Sequence, residues 1–268
     1  MGTITDKINK SLETKEAIRQ AIINKGVDIP ANTVFSDYPE KISAITGSGE
    51  GGSGGIADAF YLTRTNNETS YVYLFYGCNA TELDVSNFNT EKVTTMHCMF
   101  NSCSNLTSLD VSNFNTSNVT IMNSMFDGCS KLTSLDVSNF NTSKVTSMQY
   151  MFRNCSSLIT LDLSNFDTSY VTNTGQMFYG CPKLTSLDLR NFDLNKCTSS
   201  SACSIMFYNC TSLHTIRLDN CDNYTINKII TSSSFPTGTI SGVTRKIYCK
   251  QANASGLTAP TNWTFSYV

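Results

Sequence analysis

Apolar and polar residues alternate along this chain in a unit that keeps returning. In Leu109-Asp110-Val111-Ser112 the odd positions are apolar and the even ones polar, the period-2 signature of a half-buried strand. Val119-Thr120-Ile121-Met122 reads as a second short extended segment. Met122, Met125 and Phe126, spaced i, i+3, i+4, predict one helical turn that closes near Gly128-Cys129. Leu-Asp-Val-Ser-Asn-Phe begins at Leu83, Leu109 and Leu135, becomes Leu-Asp-Leu-Ser-Asn-Phe at Leu161 and Leu-Asp-Leu-Arg-Asn-Phe at Leu187, and every step is 26 residues. A decayed copy, Ile216-Arg217-Leu218-Asp219-Asn220-Cys221, follows after 29, which places three extra residues within Thr198 to Ala202. A fixed period this short predicts a repeat solenoid of the leucine-rich-repeat type, with short parallel β-strands and short helical turns, because each coil can bury its apolar side only against its neighbours. Stacked copies then make ladders of like residues, Leu83 to Leu187, Phe88 to Phe192, Val93 to Val171 and Phe100 to Phe207. Neighbours in such a ladder lie roughly 4.8 Å apart where strands pair.

Written through one unit, the repeat is Leu-x-x-Leu-Asp-Val-Ser-Asn-Phe-Asn-Thr-Ser-x-Val-Thr-x-Met-x-x-Met-Phe-x-x-Cys. It resembles the BspA-like leucine-rich repeat proteins of bacterial cell surfaces, from Tyr71 to Cys221. The resemblance implies a right-handed leucine-rich solenoid used for adhesion and binding, with no enzymatic activity in the repeats. Cell-surface members of that family carry a signal peptide and a wall or lipid anchor. Here Met1 to Lys7 has no apolar region and no run of about 18 apolar residues occurs, so the expectation is a chain neither conventionally secreted nor inserted in a membrane.

Residues 1–46 have a different character. Ile4, Ile8 and Leu12 are spaced i, i+4, i+8, and Ala17, Ile18, Ala21 and Ile22 share one face. With Thr14 as N-cap and Gly26 as a C-terminal stop, these predict a small α-helical N-terminal module. The stripe Ile4, Ile8, Leu12, Ile18 and Ile22 needs cover, from the first coil of the solenoid or from other subunits, and assembly with other subunits is the expectation. Glu16 to Pro30, followed by Phe35 to Ile42, resembles a short module of bacteriophage and prophage tail, baseplate and fibre proteins. That resemblance implies other virion subunits as partners, an oligomer, and a place on the virion, with the bacterial cell surface as the alternative. Gly47 to Gly55 is a Gly/Ser linker. The organisation read this way is 1–46 assembly module, 47–55 linker, 56–221 solenoid with five regular repeats plus degenerate end coils, and 222–268 C-terminal cap. Within the cap, Lys246 to Cys249 reads as a final strand and Trp263 to Tyr267 as an aromatic tail over the last coil.

Charge narrows the function. Among 268 residues, 19 Lys and Arg face 21 Asp and Glu, a net charge of −2 that leaves no basic footprint for nucleic acid. Of the 11 cysteines, Cys78, Cys103, Cys129, Cys155, Cys181 and Cys210 form one ladder, while Cys197, Cys203 and Cys221 stand at the ladder positions of Val, Met and Phe. They read as packing thiols, with disulfides between adjacent coils as the alternative; no zinc-ribbon spacing is present. Asp84, Asp110, Asp136, Asp162 and Asp188 stack as like charges and need partners, for which neighbouring Ser and Thr hydroxyls are a simpler source than calcium. His97 and His214, the two histidines, belong to different surfaces of the repeat, and no catalytic triad or phosphate loop stands out. No enzyme, catalytic residue, metal or cofactor is therefore expected.

Where the copies differ, a binding function is expected. After Met-Phe the next residue is Tyr76, Asn101, Asp127, Arg153, Tyr179 or Tyr208, and two before that Phe it is Tyr73, Cys98, Ser124, Tyr150, Gln176 or Ile205. Tyr73, Tyr76, Tyr150, Arg153, Tyr179 and Tyr208 are the candidate ligand-binding residues, against neutral drift of solvent-facing positions. The function expected is a non-enzymatic virion-associated structural or adhesion protein that binds a host-surface glycan or protein. A bacterial cell-surface adhesin and a purely structural decoration are the competing readings.

Overall fold

The computed structural model describes residues 69–86 and 88–268. The expected helical module of residues 1–46, its stripe Ile4, Ile8, Leu12, Ile18 and Ile22, and the linker 47–55 lie outside the described residues.

Short strands fall where the period-2 pattern places them: β1 (Glu82–Leu83), β2 (Ser108–Leu109), β3 (Thr160–Asp162), β4 (Ser186–Asp188) and β5 (Thr215–Arg217). They pair in parallel and in the register of the repeat, Leu83 opposite Leu109, and Leu161 opposite Leu187 opposite Ile216. A second parallel line of single bridges runs from Ser70 through Thr95, Ile121 and Ser147 to Asn173, along the segment read as extended from sequence. Two more strands, β6 (Arg245–Cys249) and β7 (Trp263–Tyr267), continue the sheet in the order β3-β4-β5-β6-β7, so the cap adds strands to the same sheet. The result is parallel β-structure in which repeats stack side by side, the arrangement a solenoid-like fold requires.

The core is built of rows. Val93, Val119, Val145 and Val171 are fully buried, as are Phe100, Phe126, Phe152, Phe178 and Phe207. From Phe75 to Phe207 successive rings stack with centroids 5.3–6.0 Å apart. Burying each ring contributes about 1.5–3 kcal/mol, and each does so only because the next coil covers it. Polar rows serve the same stack. Asn139 donates from Nδ2 to the carbonyls of Val111, Ser112 and Phe114 in the preceding coil at 3.0–3.1 Å, and Asn113 and Asn165 repeat the pattern. The recurring Asn-Phe is thus one clamp and one core residue.

The cysteine row packs as expected of small apolar residues and adds a bond. Cys129, Cys155 and Cys181 donate from Sγ to the carbonyls of Phe100, Phe126 and Phe152 at 3.1–3.2 Å. All eleven cysteines are free thiols. Burial pushes the thiols of Cys155 and Cys210 up to about 12, so they remain protonated donors.

The helical turn expected at Met122, Met125 and Phe126 does not form. Ser124 (φ 55°) and Gly128 (φ 77°) are left-handed, which a right-handed helix cannot contain. The N–H groups of Met125, Asp127 and Cys129 close successive turns onto carbonyls three residues back, while those of Met122, Ser124, Phe126 and Gly128 donate to Ser147, Gln149, Met151 and Arg153 of the next coil. Half of the donors therefore run along the stack, and the i, i+3, i+4 spacing is that of tandem turns facing one core. The longer interval before Ile216 is visible in the same bonds: Met148 reaches Asn173, whereas Thr174 reaches Ala202.

Among the described residues the one α-helix is α1 (Asn223–Ser232), capped by Asp222, whose carboxylate accepts from the Thr225 N–H at 2.7 Å. Ile226 and Ile229 are buried, and the carbonyls of Ser232 and Ser233 accept from Ile205 and Phe207, where a further coil would otherwise supply acceptors. No helix among the described residues is long and apolar enough to cross a membrane.

Candidate binding face

The tandem turns sort side chains in a fixed way. Met125 and Phe126 are fully buried in the core, and the positions that flank them range from buried, as at Ser124 and Asp127, to exposed, as at Tyr73, Tyr76 and Tyr208. Stacking turns this into two adjacent rows, Tyr73, Cys98, Ser124, Tyr150, Gln176, Ile205 and Tyr76, Asn101, Asp127, Arg153, Tyr179, Tyr208. Every residue of the first row is left-handed, with φ between 47° and 62°. For Ile205, β-branched and at 47°, that conformation is strained and persists because inter-coil bonds fix the turn.

The six residues singled out from sequence fall into three contacting groups. Tyr73 and Tyr76 meet edge to face at 5.5 Å, and Tyr73 meets His97 at 5.3 Å. In the centre Arg153 grips Asp127 with two donors, Nε at 3.0 Å and Nη2 at 2.6 Å, and lies 4.5 Å from the ring centre of Tyr150. Tyr179 and Tyr208 stack at 5.1 Å. Tyr73, Tyr76 and Tyr208 are exposed at 50%, 43% and 52%, while Tyr150, Arg153 and Tyr179 are half-buried. The face is thus a line of rings around one ion pair whose carboxylate is buried and whose guanidinium is half-buried. Bidentate bonding to Asp127 holds the Arg153 guanidinium charged and raises its pKa further.

Sequence reasoning left Asp127 and His97 out of the site. Asp127 is 4% exposed, and opposite charges one period apart at 127 and 153 are the signal that identifies it. His97 Nδ1 lies 3.1 Å from the Asn123 carbonyl, so that nitrogen carries the proton and Nε2 faces the Tyr73 hydroxyl at 3.4 Å and Cys98 Sγ at 3.5 Å. Burial raises the Cys98 pKa and keeps the group a thiol, a poor nucleophile. The face thus presents rings, amides and a satisfied ion pair.

On the strand side, Asp84, Asp110, Asp136 and Asp162 each accept the backbone N–H of the serine two residues on, at 2.8–2.9 Å. The expected hydroxyl partners are therefore joined by main-chain donors of an Asx turn. Serine hydroxyls first, and these N–H groups second, lower the carboxyl pKa of Asp84, Asp110 and Asp136. Among the described residues no group of three or more His, Cys, Asp or Glu side chains is placed to hold a metal ion. A groove of about 470 Å³ runs over β1 and β2, lined by Leu83, Asp84, Leu109, Asp110, Leu135 and Asp136.

A model for the family described as "Mycoplasma protein of unknown function, DUF285" matches residues 69–192 and residues 135–235. No curated protein and no solved structure matches the chain.

Proposed function

The chain belongs to the DUF285 family over residues 69–235, and from that premise we propose that it is a non-enzymatic, leucine-rich-repeat solenoid whose turn face binds a host-surface glycan or protein. The observation that carries this reading is the contrast between rows. Core positions hardly change from coil to coil, whereas the two flanking rows vary, with Tyr179 and Tyr208 the one pair of neighbours alike, and carry five tyrosines and one arginine, residue types that contribute most per side chain fixed at interfaces. Exposed ring edges at Tyr73, Tyr76 and Tyr208 offer apolar area with a hydroxyl, the combination that sugar faces and protein loops both accept.

In the same proposal the solenoid is carried on a phage or prophage virion through residues 1–46, where the stripe Ile4, Ile8, Leu12, Ile18 and Ile22 meets other virion subunits. A bacterial cell-surface adhesin is the second reading, favoured by the BspA-like form of the repeat. The test is binding of the labelled full-length chain to a glycan array and to intact bacterial cells. Saturable binding that unlabelled chain displaces is the expected result. Absence of saturable binding on both would leave a structural decoration and overturn the proposal.

A further inference from the structure

Arg245, the first residue of β6, is 3% exposed. Its Nε donates to the Gly238 carbonyl at 3.1 Å, Nη2 to the carbonyls of Thr211 and Gly238 at 3.0 and 2.7 Å, and Nη1 to that of Leu213. Four of the five guanidinium N–H groups are thereby used, and one on Nη1 has no acceptor among the described residues. Carbonyls satisfy donors but bring no net negative charge. None of the ion pairs among the described residues includes Arg245, in contrast to Arg153, Arg190 and Arg217, each held by an aspartate. A guanidinium is charged at neutral pH, and arginine is almost never fully buried without a partner. Burial lowers the Arg245 pKa, and no carboxylate offsets it.

This uncompensated charge lines a pocket of about 560 Å³ between the turn at Tyr208 and the loop 234–239 of the cap. The volume lies in the range of small-molecule sites, about 300–1,000 Å³. No Asp or Glu lines it. Phe235, one of its walls, is anchored edge to face against Phe207 at 5.1 Å and Trp263 at 5.0 Å, and the Trp263 ring centre lies 5.6 Å from Arg245 Cζ. Tyr208 brings an exposed ring to the pocket. Ser234, Thr237 and Thr239 bring exposed hydroxyls that bond to nothing among the described residues.

We propose that this pocket is a binding subsite for one acidic sugar residue, its carboxylate on the Arg245 side and its ring against Tyr208. The inference rests on the reading of the turn face as a surface for a host glycan or protein, and it selects an acidic glycan. One uncompensated positive charge with one spare N–H matches a carboxylate monoanion better than a phosphate dianion, which needs more charge and more donors. An exposed ring and unbonded hydroxyls suit the apolar face and the hydroxyl groups of a sugar. A peptide carboxylate would use the charge and leave those hydroxyls idle.

Trp263 is the one tryptophan of the chain, so its fluorescence reports on the pocket. The test is titration of the full-length chain with methyl β-glucuronide, with methyl β-glucoside and with inorganic phosphate. The glucuronide is expected to give a saturable change, the neutral glucoside to bind at least about tenfold more weakly, and phosphate at the same concentrations to leave the signal unchanged. Thr239→Glu sets a carboxylate into the pocket from an exposed position, so the variant should fold as judged by circular dichroism and bind the glucuronide at least about tenfold more weakly. Arg245→Gln should remove the preference for the glucuronide over the glucoside. Equal binding of the two sugars, saturation by phosphate, or unchanged glucuronide binding by Thr239→Glu would overturn the proposal. A chain that binds host cells but not the glucuronide would overturn the subsite alone, whereas a chain that binds neither host cells nor any glycan would remove the binding function with it.

Discussion

Thr142 holds both backbone groups of one residue in the next coil. Its Oγ1 accepts the Asp167 N–H at 2.8 Å and donates to the Asp167 carbonyl at 2.9 Å, and Thr116 and Thr168 do the same one coil away. Thr142→Val keeps the shape and orphans a buried donor and acceptor, so a urea melt should show a loss of about 1–3 kcal/mol, with Thr142→Ser losing less. A change below about 0.5 kcal/mol would mean that water replaces the hydroxyl. This row was not legible in the sequence, where Thr between Asn and Ser reads as one more surface polar residue; only the inter-coil register shows it buried. The aspartates were legible as a row but not as Asx turns. Repulsion between neighbours is the least of the influences on Asp110, behind its serine partner. Since folding lowers the carboxyl pKa of Asp84, Asp110 and Asp136, their contribution is present above the usual Asp value of about 3.9 and fades as the pH falls through the folded value. Replacing all three by Asn keeps the accepting oxygen, so the variant should lose less stability than the parent between about pH 5 and pH 2 in denaturant melts. Parallel curves for the two proteins would contradict the assignment.

The turn is the element that sequence periodicity misread. Apolar residues at i, i+3, i+4 fit a helical turn and tandem turns equally well, because both bring those side chains to one side. The distinguishing signal lies two residues after Phe, where Gly77, Ser102, Gly128, Asn154, Gly180 and Asn209 all adopt φ between 58° and 77°. Glycine alternates with a side-chain-bearing residue from coil to coil for a packing reason. A Cβ at Gly180 would run into the Asn154 amide of the preceding coil, and one at Gly128 would come within 3.3 Å of Ser102 Cα. At Gly77, by contrast, nothing lies within 4 Å of the added atom. Gly77→Ala should therefore cost only the left-handed penalty of about 1–2 kcal/mol, and Gly180→Ala at least about 1 kcal/mol more. Equal costs in thermal melts would show that the Asn154 side chain swings away freely.

Across the whole molecule, the repeat made most of the architecture readable: a period of 26, the apolar rows, the longer interval before Ile216 and the strand at Lys246–Cys249 all appear where the pattern places them, whereas Trp263–Tyr267, read as an aromatic tail, is a further strand beyond the one read as final. The helix α1 was not readable, since Asn223-Tyr224-Thr225 carries no strong helix former and its place is set by the bonds it makes to Ile205 and Phe207. Of the binding face, the variable positions were visible from comparing copies within one chain, while the buried partner of Arg153 and the contact of Tyr73 with His97 needed the fold. In the proposed function the stack and the face have separate tasks, stability from the identical rows and recognition from the changing ones. A paired comparison on the full-length chain separates them, with Tyr179→Ser/Tyr208→Ser on the turn side and Asp110→Asn/Asp136→Asn on the strand side, each measured for binding to host cells and for an unchanged circular dichroism spectrum. The turn-side variant is expected to bind at least about tenfold more weakly, equivalent to about 1.4 kcal/mol, and the strand-side variant to bind as the parent does. Unaltered binding by a folded turn-side variant, together with lost binding by the strand-side variant, would contradict the account.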